Sequence, residues 1–195
     1  MIVVGLTGGV GSGKTTIAKQ FNALGIPVYI ADDEAKKLMH TSKIIKRKLF
    51  QLFGENAYVN GELNKPFIAK VIFNDKRYLE LMNAIVHPKV AKHFSRWLTK
   101  QKSPYVIKES AILFESGSYK QCDLIILVTA PKALKIKRLL QRDNTTKDKI
   151  KAIMNNQLPD AETKKRSDYI IVNDTLENAK VQVDKIHSQI VKILQ

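Results

Sequence analysis

The segment from Gly8 to Thr15, which reads GGVGSGKT, constrains this chain more than any other part of it. It fits the spacing G-x-x-x-x-G-K-S/T. It lies between an apolar run at residues 2–7 and a segment at residues 15–24 with apolar side chains at helical spacing. Glycines let the backbone wrap closely round a phosphate, and a helix N-terminus directs free N–H groups at it. The sequence therefore predicts a strand, a phosphate-binding loop and a helix, in that order.

The residue types within this loop suit the binding of a nucleoside triphosphate. Lys14 can reach the β- and γ-phosphates, and the Thr15 hydroxyl is predicted to hold Mg²⁺. The predicted nucleotide-binding residues of the loop are Gly9, Val10, Gly11, Ser12, Gly13, Lys14, Thr15 and Thr16. A glycine-rich turn that binds nothing is the alternative, but the predicted strand and helix on its two sides favour binding.

The loop alone does not name the acceptor, because GTPases, helicases, transporters and kinases share it. A GTPase should carry N-K-x-D after a late strand, and residues 173–175 read Asn-Asp-Thr instead. A helicase or motor usually needs a longer chain than 195 residues and a clear acidic strand end, for which Glu109 is a weak candidate. A small-molecule kinase fits this length better.

The rest of the chain alternates between strand-like and helical segments. Apolar runs at residues 28–31, 105–108, 124–129 and 169–172 are typical of strands, and an amphipathic helix is predicted at 176–193. This order predicts a single α/β domain of the P-loop NTPase type, with three α/β/α layers and a five-stranded parallel sheet. The predicted core covers residues 1–43, 98–131 and 166–195, a helical substrate-binding insertion covers about 44–97, and a basic lid covers about 132–165. Within the insertion, Pro88 should break or kink a helix.

Composition limits the class of protein and its surroundings. Hydrophobic residues make up 44% of the chain and charged residues 26%, which excludes a disordered chain, and a net charge of +15 suits a polyanionic partner. Because Cys122 is the only cysteine, an internal disulfide and a multi-cysteine metal cage are excluded. With no run of about 18 apolar residues, the expectation is a soluble cytoplasmic protein.

Kinases need an oriented carboxylate near the acceptor hydroxyl and cations around the transferred phosphoryl group. Asp32 and Asp33 follow the second predicted strand, where ligands of an open parallel sheet bind, and one of them could instead cap a helix. Arg138 and Arg142 lie four residues apart in the basic segment, so both can face one phosphate, although a solvated basic face is the alternative. His87, Glu109 and Glu115 are weaker candidates.

Several motifs, in order along the chain, resemble those of the dephospho-coenzyme A kinases. The start GLTGGVGSGKT is similar to the family's LTGGIGSGKS, and residues 25–32 are similar to its G-x-x-V-x-D-A-D, with Ile30 in place of the first aspartate. Residues 85–88 resemble L-x-H-P, and residues 110–115 resemble P-L-L-x-E with Ala111 in place of the proline. Residues 137–143 resemble the family's lid motif.

This resemblance implies an ATP- and Mg²⁺-dependent kinase that phosphorylates the ribose 3'-hydroxyl of dephospho-coenzyme A. It implies that Asp32 is the catalytic carboxylate, with Lys14 and Arg138 at the transferred phosphoryl group. Arg142 would bind ATP, and the adenine would lie near Asn173. The substrate-binding residues that the resemblance implies are Thr7, Asp32, His87, Leu113 and Glu115.

Two rival functions stay open at this point. One is a kinase of another small acceptor, such as a nucleoside monophosphate. The other is a basic ATPase that binds nucleic acid, which the net charge motivates but which no nucleic-acid-binding motif supports. The expected partner is therefore the small-molecule substrate, with no nucleic acid and no membrane, and the expected state is a monomer or a weak homo-oligomer.

Overall fold

The structure is a computed structural model of the chain, and it describes residues 1–143, 145–155 and 157–194. The chain divides into two compact units, one of Met1–Ile30 with Gln101–Gln195 and the other of Ala31–Lys100. The second unit contains the predicted helical insertion at 44–97 and also the helix that precedes it. The predicted lid range includes residues 144 and 156, which lie outside the described residues.

The first unit is built on a parallel sheet. Its strands are β1 (Ile2–Thr7), β2 (Val28–Ile30), β5 (Tyr105–Glu109), β6 (Leu124–Thr129) and β7 (Tyr169–Val172); β3 (Tyr58–Val59) and β4 (Glu62–Leu63) belong to the second unit. The five strands lie in the order β2-β5-β1-β6-β7, and all neighbours pair in parallel. The prediction of a five-stranded parallel α/β fold is therefore confirmed.

Helices cover this sheet and also form most of the segment predicted as a lid. In the first unit they are α1 (Lys14–Ala23), α6 (Lys132–Arg142), α7 (Lys147–Asn155), α8 (Asp160–Lys165) and α9 (Leu176–Ile193). Ile17 and Phe21 of α1 are fully buried with Val183 and Ile190 of α9, and they share one core cluster with Val4 of β1. Their three- and four-residue spacing directs these side chains onto one face of each helix, which explains why these helices pack on the sheet.

A hydrogen bond between two aromatic residues joins β5 to α9. Tyr105 is fully buried, and its hydroxyl lies 2.7 Å from His187 Nδ1. Burial raises the pKa of Tyr105, so its hydroxyl stays protonated at neutral pH.

Replacing Tyr105 with phenylalanine should lower the free energy of unfolding by about 0.5–1.5 kcal/mol, because it removes this hydrogen bond and leaves the His187 nitrogen without that partner. Urea denaturation of the two proteins measures the difference. An unchanged urea midpoint would show that the bond adds nothing to stability.

The second unit is mainly helical. Its helices are α2 (Ala31–Thr41), α3 (Lys43–Phe53), α4 (Lys65–Asn74) and α5 (Lys76–Leu98). The short antiparallel hairpin of β3 and β4 was not predicted. Its turn is Asn60-Gly61, with φ of 52° and 83°, which is the residue pair that a tight hairpin turn favours.

The helix does not break at Pro88, since α5 continues through this residue and is 23 residues long. A kink at Pro88, the other outcome predicted, stays a prediction. A proline removes one hydrogen bond and crowds the preceding turn, but packing of a long helix can outweigh that cost. Among the helices of the described residues, none combines the length and the apolar character that crossing a membrane requires.

Candidate functional site

The phosphate-binding loop runs from the end of β1 to the start of α1. Lys14 is the first residue of α1, and Gly13 before it has a left-handed backbone. The Lys14 ammonium donates to the carbonyl oxygens of Gly8 at 2.8 Å and Gly9 at 3.5 Å. The cation that should meet the β- and γ-phosphates therefore lies beside the first residues of the loop, while Thr15 is exposed at the helix N-terminus.

Asn173, at the end of β7, fixes the other side of this loop. Its side-chain amide donates to the Ser12 carbonyl oxygen at 2.8 Å, and Asn173 is itself buried. Arg138 Nη1 donates to the Asn173 carbonyl oxygen at 3.0 Å. The structure thus brings three of the predicted residues together, and it shows Asn173 bound to the loop. Its predicted place near the adenine stays a prediction.

Substituting Gly13 tests how tightly the loop is packed. A methyl group on Gly13 would collide with the side-chain amide of Asn173, and its φ of 88° strains any other residue. We expect Gly13→Ala to lower the free energy of unfolding by about 2–5 kcal/mol, the sum of backbone strain and overpacking. Thermal and urea denaturation measure this loss.

Gly117 is the matched control for this substitution. It has a φ of 71°, but a methyl group there would meet nothing within 4 Å. Gly117→Ala should therefore cost only the backbone term, about 1–2 kcal/mol. Equal losses in the two variants would contradict the crowding at Gly13.

Helix α6 and the segment before α8 lie against the loop. The Leu139 side chain would be 3.1 Å from a methyl group on Gly11, so α6 packs directly over the middle of the loop. The Val10 N–H donates to the side-chain oxygen of Gln157 at 2.8 Å. Gln157 is not among the site residues predicted from the sequence.

A small pocket opens beside the loop, and Thr7, Glu115, Gln157 and Leu158 are among its lining residues. The cavity volume is about 10 Å³, which is room for about one water molecule. Glu115 Oε1 accepts from the Leu158 N–H at 3.1 Å. Two of the predicted substrate-binding residues, Thr7 and Glu115, therefore share one pocket.

Leu113 and Arg142, by contrast, have other surroundings. Leu113 is fully buried in a cluster with Phe114 and Ile125, which favours a role in supporting the pocket wall. The Arg142 guanidinium binds the neighbouring Asp143 carboxylate at 2.8 and 2.9 Å. Asp143 raises the pKa of Arg142 and is itself held below its ordinary pKa, so the pair is ionic.

Two oxygen-bearing side chains of the first unit suit Mg²⁺. The Thr15 hydroxyl lies at the start of α1, and the buried Glu109 carboxylate ends β5, whose register places Glu109 opposite Leu6 of β1. In the described residues, no group of three or more His, Cys, Asp or Glu could hold a metal ion. Mg²⁺ in kinases typically uses one or two protein ligands together with substrate phosphates and water.

In the second unit, the structure places Asp32 and Asp33 in the first turn of α2. Asp33 forms an exposed ion pair with Lys36 at 3.0 Å. Burial lowers the pKa of His87 on α5, and the Asp32 carboxylate opposes this shift. His87 is therefore a mainly neutral imidazole at neutral pH, within electrostatic reach of Asp32.

Comparison with known sequences identifies the family. The profile of the dephospho-CoA kinase family matches residues 2–178. A dephospho-CoA kinase from Porphyromonas gingivalis is 39% identical over 157 residues, which cover 80% of this chain and 78% of that protein. One from Bacteroides fragilis is 37% identical over 174 residues, covering 89% of this chain and 85% of that protein.

Solved structures agree with these sequence matches. Dephospho-CoA kinase from Campylobacter jejuni is 26% identical, with a TM-score of 0.73 over 99% of this chain and 98% of that one. The Thermus thermophilus protein TT1252 is 29% identical, with a TM-score of 0.88 over 96% of each chain. Shikimate kinase from Acinetobacter baumannii, at 17% identity and a TM-score of 0.58 over 98% of this chain and 94% of that one, shares the fold. On the strength of its sequence, this chain belongs to the dephospho-CoA kinase family.

Proposed function

We propose that this chain transfers the γ-phosphoryl group of ATP to the ribose 3'-hydroxyl of dephospho-coenzyme A, which completes coenzyme A. The observation that carries the proposal is the phosphate-binding loop with Lys14 and Arg138 beside it, in a chain that matches this kinase family over residues 2–178. A loop of this kind binds a nucleoside triphosphate. The proposed acceptor, dephospho-coenzyme A, is taken from the family match.

Nucleotide binding falls to the first unit. The loop N–H groups and Lys14 hold the phosphates, and the Thr15 hydroxyl, with Glu109 through water, would hold Mg²⁺. When bound, the metal ion neutralises charge on the β- and γ-phosphate oxygens. Arg142 binds the nucleotide after its guanidinium gives up the ion pair with Asp143 and pairs with a phosphate instead.

Asp32 is the proposed catalytic carboxylate. It orients or deprotonates the acceptor hydroxyl, and a neutral His87 leaves the charge of Asp32 uncompensated by an imidazolium. Thr7, His87 and Glu115 are proposed to contact the acceptor, and Leu113 supports the wall behind Glu115. Lid closure excludes water, which suppresses ATP hydrolysis.

Arg138 is proposed to stabilise the phosphoryl group in the transition state of its transfer. Its guanidinium presents several N–H donors in a fixed plane, which an ammonium cannot reproduce. Arg138→Lys should therefore lower kcat by about tenfold or more while ATP affinity changes less. Steady-state kinetics with a calorimetric titration of ATP separates the two, and a loss confined to affinity would refute this role.

His87 gives the proposal a pH signature. Because its pKa is lower in the folded chain than in the unfolded one, the folded state binds fewer protons, and stability falls as the pH drops through about 6.5. Between about pH 7.5 and 5.5 this fall should be shallower in His87→Gln, which cannot titrate. Urea denaturation at several pH values measures the slope, and equal slopes would exclude His87 as the group responsible.

We also propose a compartment and the remaining partners for this chain. Burial raises the pKa of the Cys122 thiol to about 11, so it stays protonated and unreactive. A chain with a single, partly buried cysteine suits a reducing compartment, and we propose that the reaction takes place in the cytoplasm. Its partner is the small-molecule substrate, with no nucleic acid or membrane, and the chain acts as a monomer or weak homo-oligomer.

The direct test is an acceptor panel. The purified protein is incubated with Mg²⁺ and ATP and either dephospho-coenzyme A or other nucleotides and nucleosides, and products are identified by mass spectrometry, with NMR to locate the phosphate. Coenzyme A formed only from its dephospho precursor supports the proposal. Turnover of another acceptor, or ATP hydrolysis stimulated by nucleic acid, would overturn it.

A further inference from the structure

An almost fully buried lysine lies beside the phosphate loop and has no role in the mechanism above. Lys135 on α6 is 6% exposed, and its ammonium binds the Asp160 carboxylate at the start of α8. The same Asp160 oxygen accepts from the Thr129 hydroxyl at 2.6 Å. Lysines are seldom buried unless they are paired, so this position of Lys135 depends on Asp160.

The pair lies at one particular end of the loop. A methyl group on Gly9 would be 3.4 Å from Lys135 Nζ and 3.4 Å from Asp160 Oδ1. The Lys14 ammonium, which meets the β- and γ-phosphates, donates to the carbonyls of Gly8 and Gly9. Lys135 and Asp160 therefore flank the γ-phosphate end of the loop.

The opposite charges of Lys135 and Asp160 would respond differently to the binding of a triphosphate. A carboxylate beside the γ-phosphate is repelled by it, whereas an ammonium is attracted. The flexible side chain of Lys135 would have to move only a short distance from one anion to the other, because Asp160 lies beside Gly9, at the end of the loop where the γ-phosphate would bind. Asp160 keeps its Thr129 hydrogen bond after Lys135 leaves, so the exchange does not strip the carboxylate of every partner.

We propose that Lys135 is a phosphate-binding residue that exchanges Asp160 for the γ-phosphate. The inference rests on the proposed function only in that the nucleotide is a triphosphate bound by this loop. Lys135 would approach the γ-phosphate from beside Gly9, whereas Arg138, which is bound to the Asn173 carbonyl oxygen, would approach it from another side of the loop. Asp160 holds Lys135 in position while no nucleotide is bound. The strength of this ion pair sets the free energy needed to move the Lys135 ammonium to the γ-phosphate.

Calorimetric titration with Mg²⁺·ATP and Mg²⁺·ADP tests this, because only ATP carries the γ-phosphate. Lys135→Met should weaken ATP binding by about 10- to 100-fold and ADP binding much less, the range for a hydrogen bond to a charged group. Asp160→Asn should strengthen ATP binding by a few fold, since the repulsion is gone. Lys132→Met, which removes an exposed lysine from the first turn of the same helix, is the matched control and should change neither affinity.

The double variant Lys135→Met/Asp160→Asn separates phosphate binding from a structural role. A merely structural pair predicts a lowered melting temperature in the single variants, recovery in the double variant and normal ATP affinity in all of them. Our inference predicts that the double variant still binds ATP weakly and that Lys135→Arg binds it nearly as well as the unmodified chain. Equal weakening of ATP and ADP in Lys135→Met would overturn it.

The acceptor assay on the unmodified chain keeps the two proposals apart. If that chain binds ATP but phosphorylates another acceptor, the proposed function fails, and the inference on Lys135 stands on the titrations. If it makes coenzyme A and Lys135→Met loses no ATP selectivity, the inference alone fails.

Discussion

Replacing Asp32 with asparagine should lower kcat by about 10²- to 10⁴-fold, the usual contribution of a general base. Asparagine keeps the size of the side chain and loses its ability to take a proton. ATP binds through the loop of the first unit, so its affinity should stay within about twofold, as expected of a residue that acts on the acceptor hydroxyl. Steady-state turnover of dephospho-coenzyme A and calorimetric titration of ATP measure the two quantities.

Asp33→Asn is the matched control for this experiment. Asp33 is the next residue on α2 and is occupied by an exposed ion pair with Lys36, which contributes little to stability. Its loss should leave kcat nearly unchanged. The assignment of Asp32 would be wrong if the two variants lost activity equally, or if Asp32→Asn retained near-normal turnover.

Replacing Lys14 with alanine should lower the rate of coenzyme A formation by at least about 10²- to 10³-fold, the range for removing one electrostatic contact to a transition state. The structure adds a second effect, because the Lys14 ammonium also donates to the carbonyls of Gly8 and Gly9. Its removal therefore loosens the start of the loop, and ATP affinity should fall along with kcat.

Lys19→Ala provides the comparison for Lys14, since Lys19 is an exposed lysine of the same helix. It should leave both kcat and ATP affinity unchanged. Activity that survives Lys14→Ala would mean that product forms without the loop, and the first unit would then have to be abandoned as the nucleotide site.

The parts of the fold that were predicted from sequence are those that depend on local pattern. Residues 2–7 and 124–129 are apolar on both faces, which only a strand covered by helices on both sides can satisfy. The phosphate loop is a contiguous motif, so its residues are fixed relative to one another by their spacing. These are the segments for which sequence and structure agree.

Other features depend on contacts between distant segments. Nothing in the neighbourhood of Asn173 indicates that it binds the Ser12 carbonyl, 161 residues away, and the pairing of Lys135 with Asp160 is equally invisible in the sequence. The hairpin is different, because Asn60-Gly61 between the two short strands is a recognisable turn signal. It was not predicted because the segments on both sides of it have helical periodicity. The predicted break at Pro88 fails for the opposite reason, because the packing of a long helix can outweigh the local preference of a proline.

The bond from Asn173 to Ser12 has a consequence for the order in which this chain becomes functional. During synthesis the loop emerges early, but Asn173, which binds the loop, directly follows β7, the last strand along the chain, and is made near the end. A growing chain should therefore gain its full affinity for nucleotide only when residue 173 has left the ribosome. In the finished protein this hydrogen bond couples the loop to the segment that contains Asn173 in both directions. Bound nucleotide should therefore slow amide hydrogen exchange in β7 and α9, far along the chain from the loop itself.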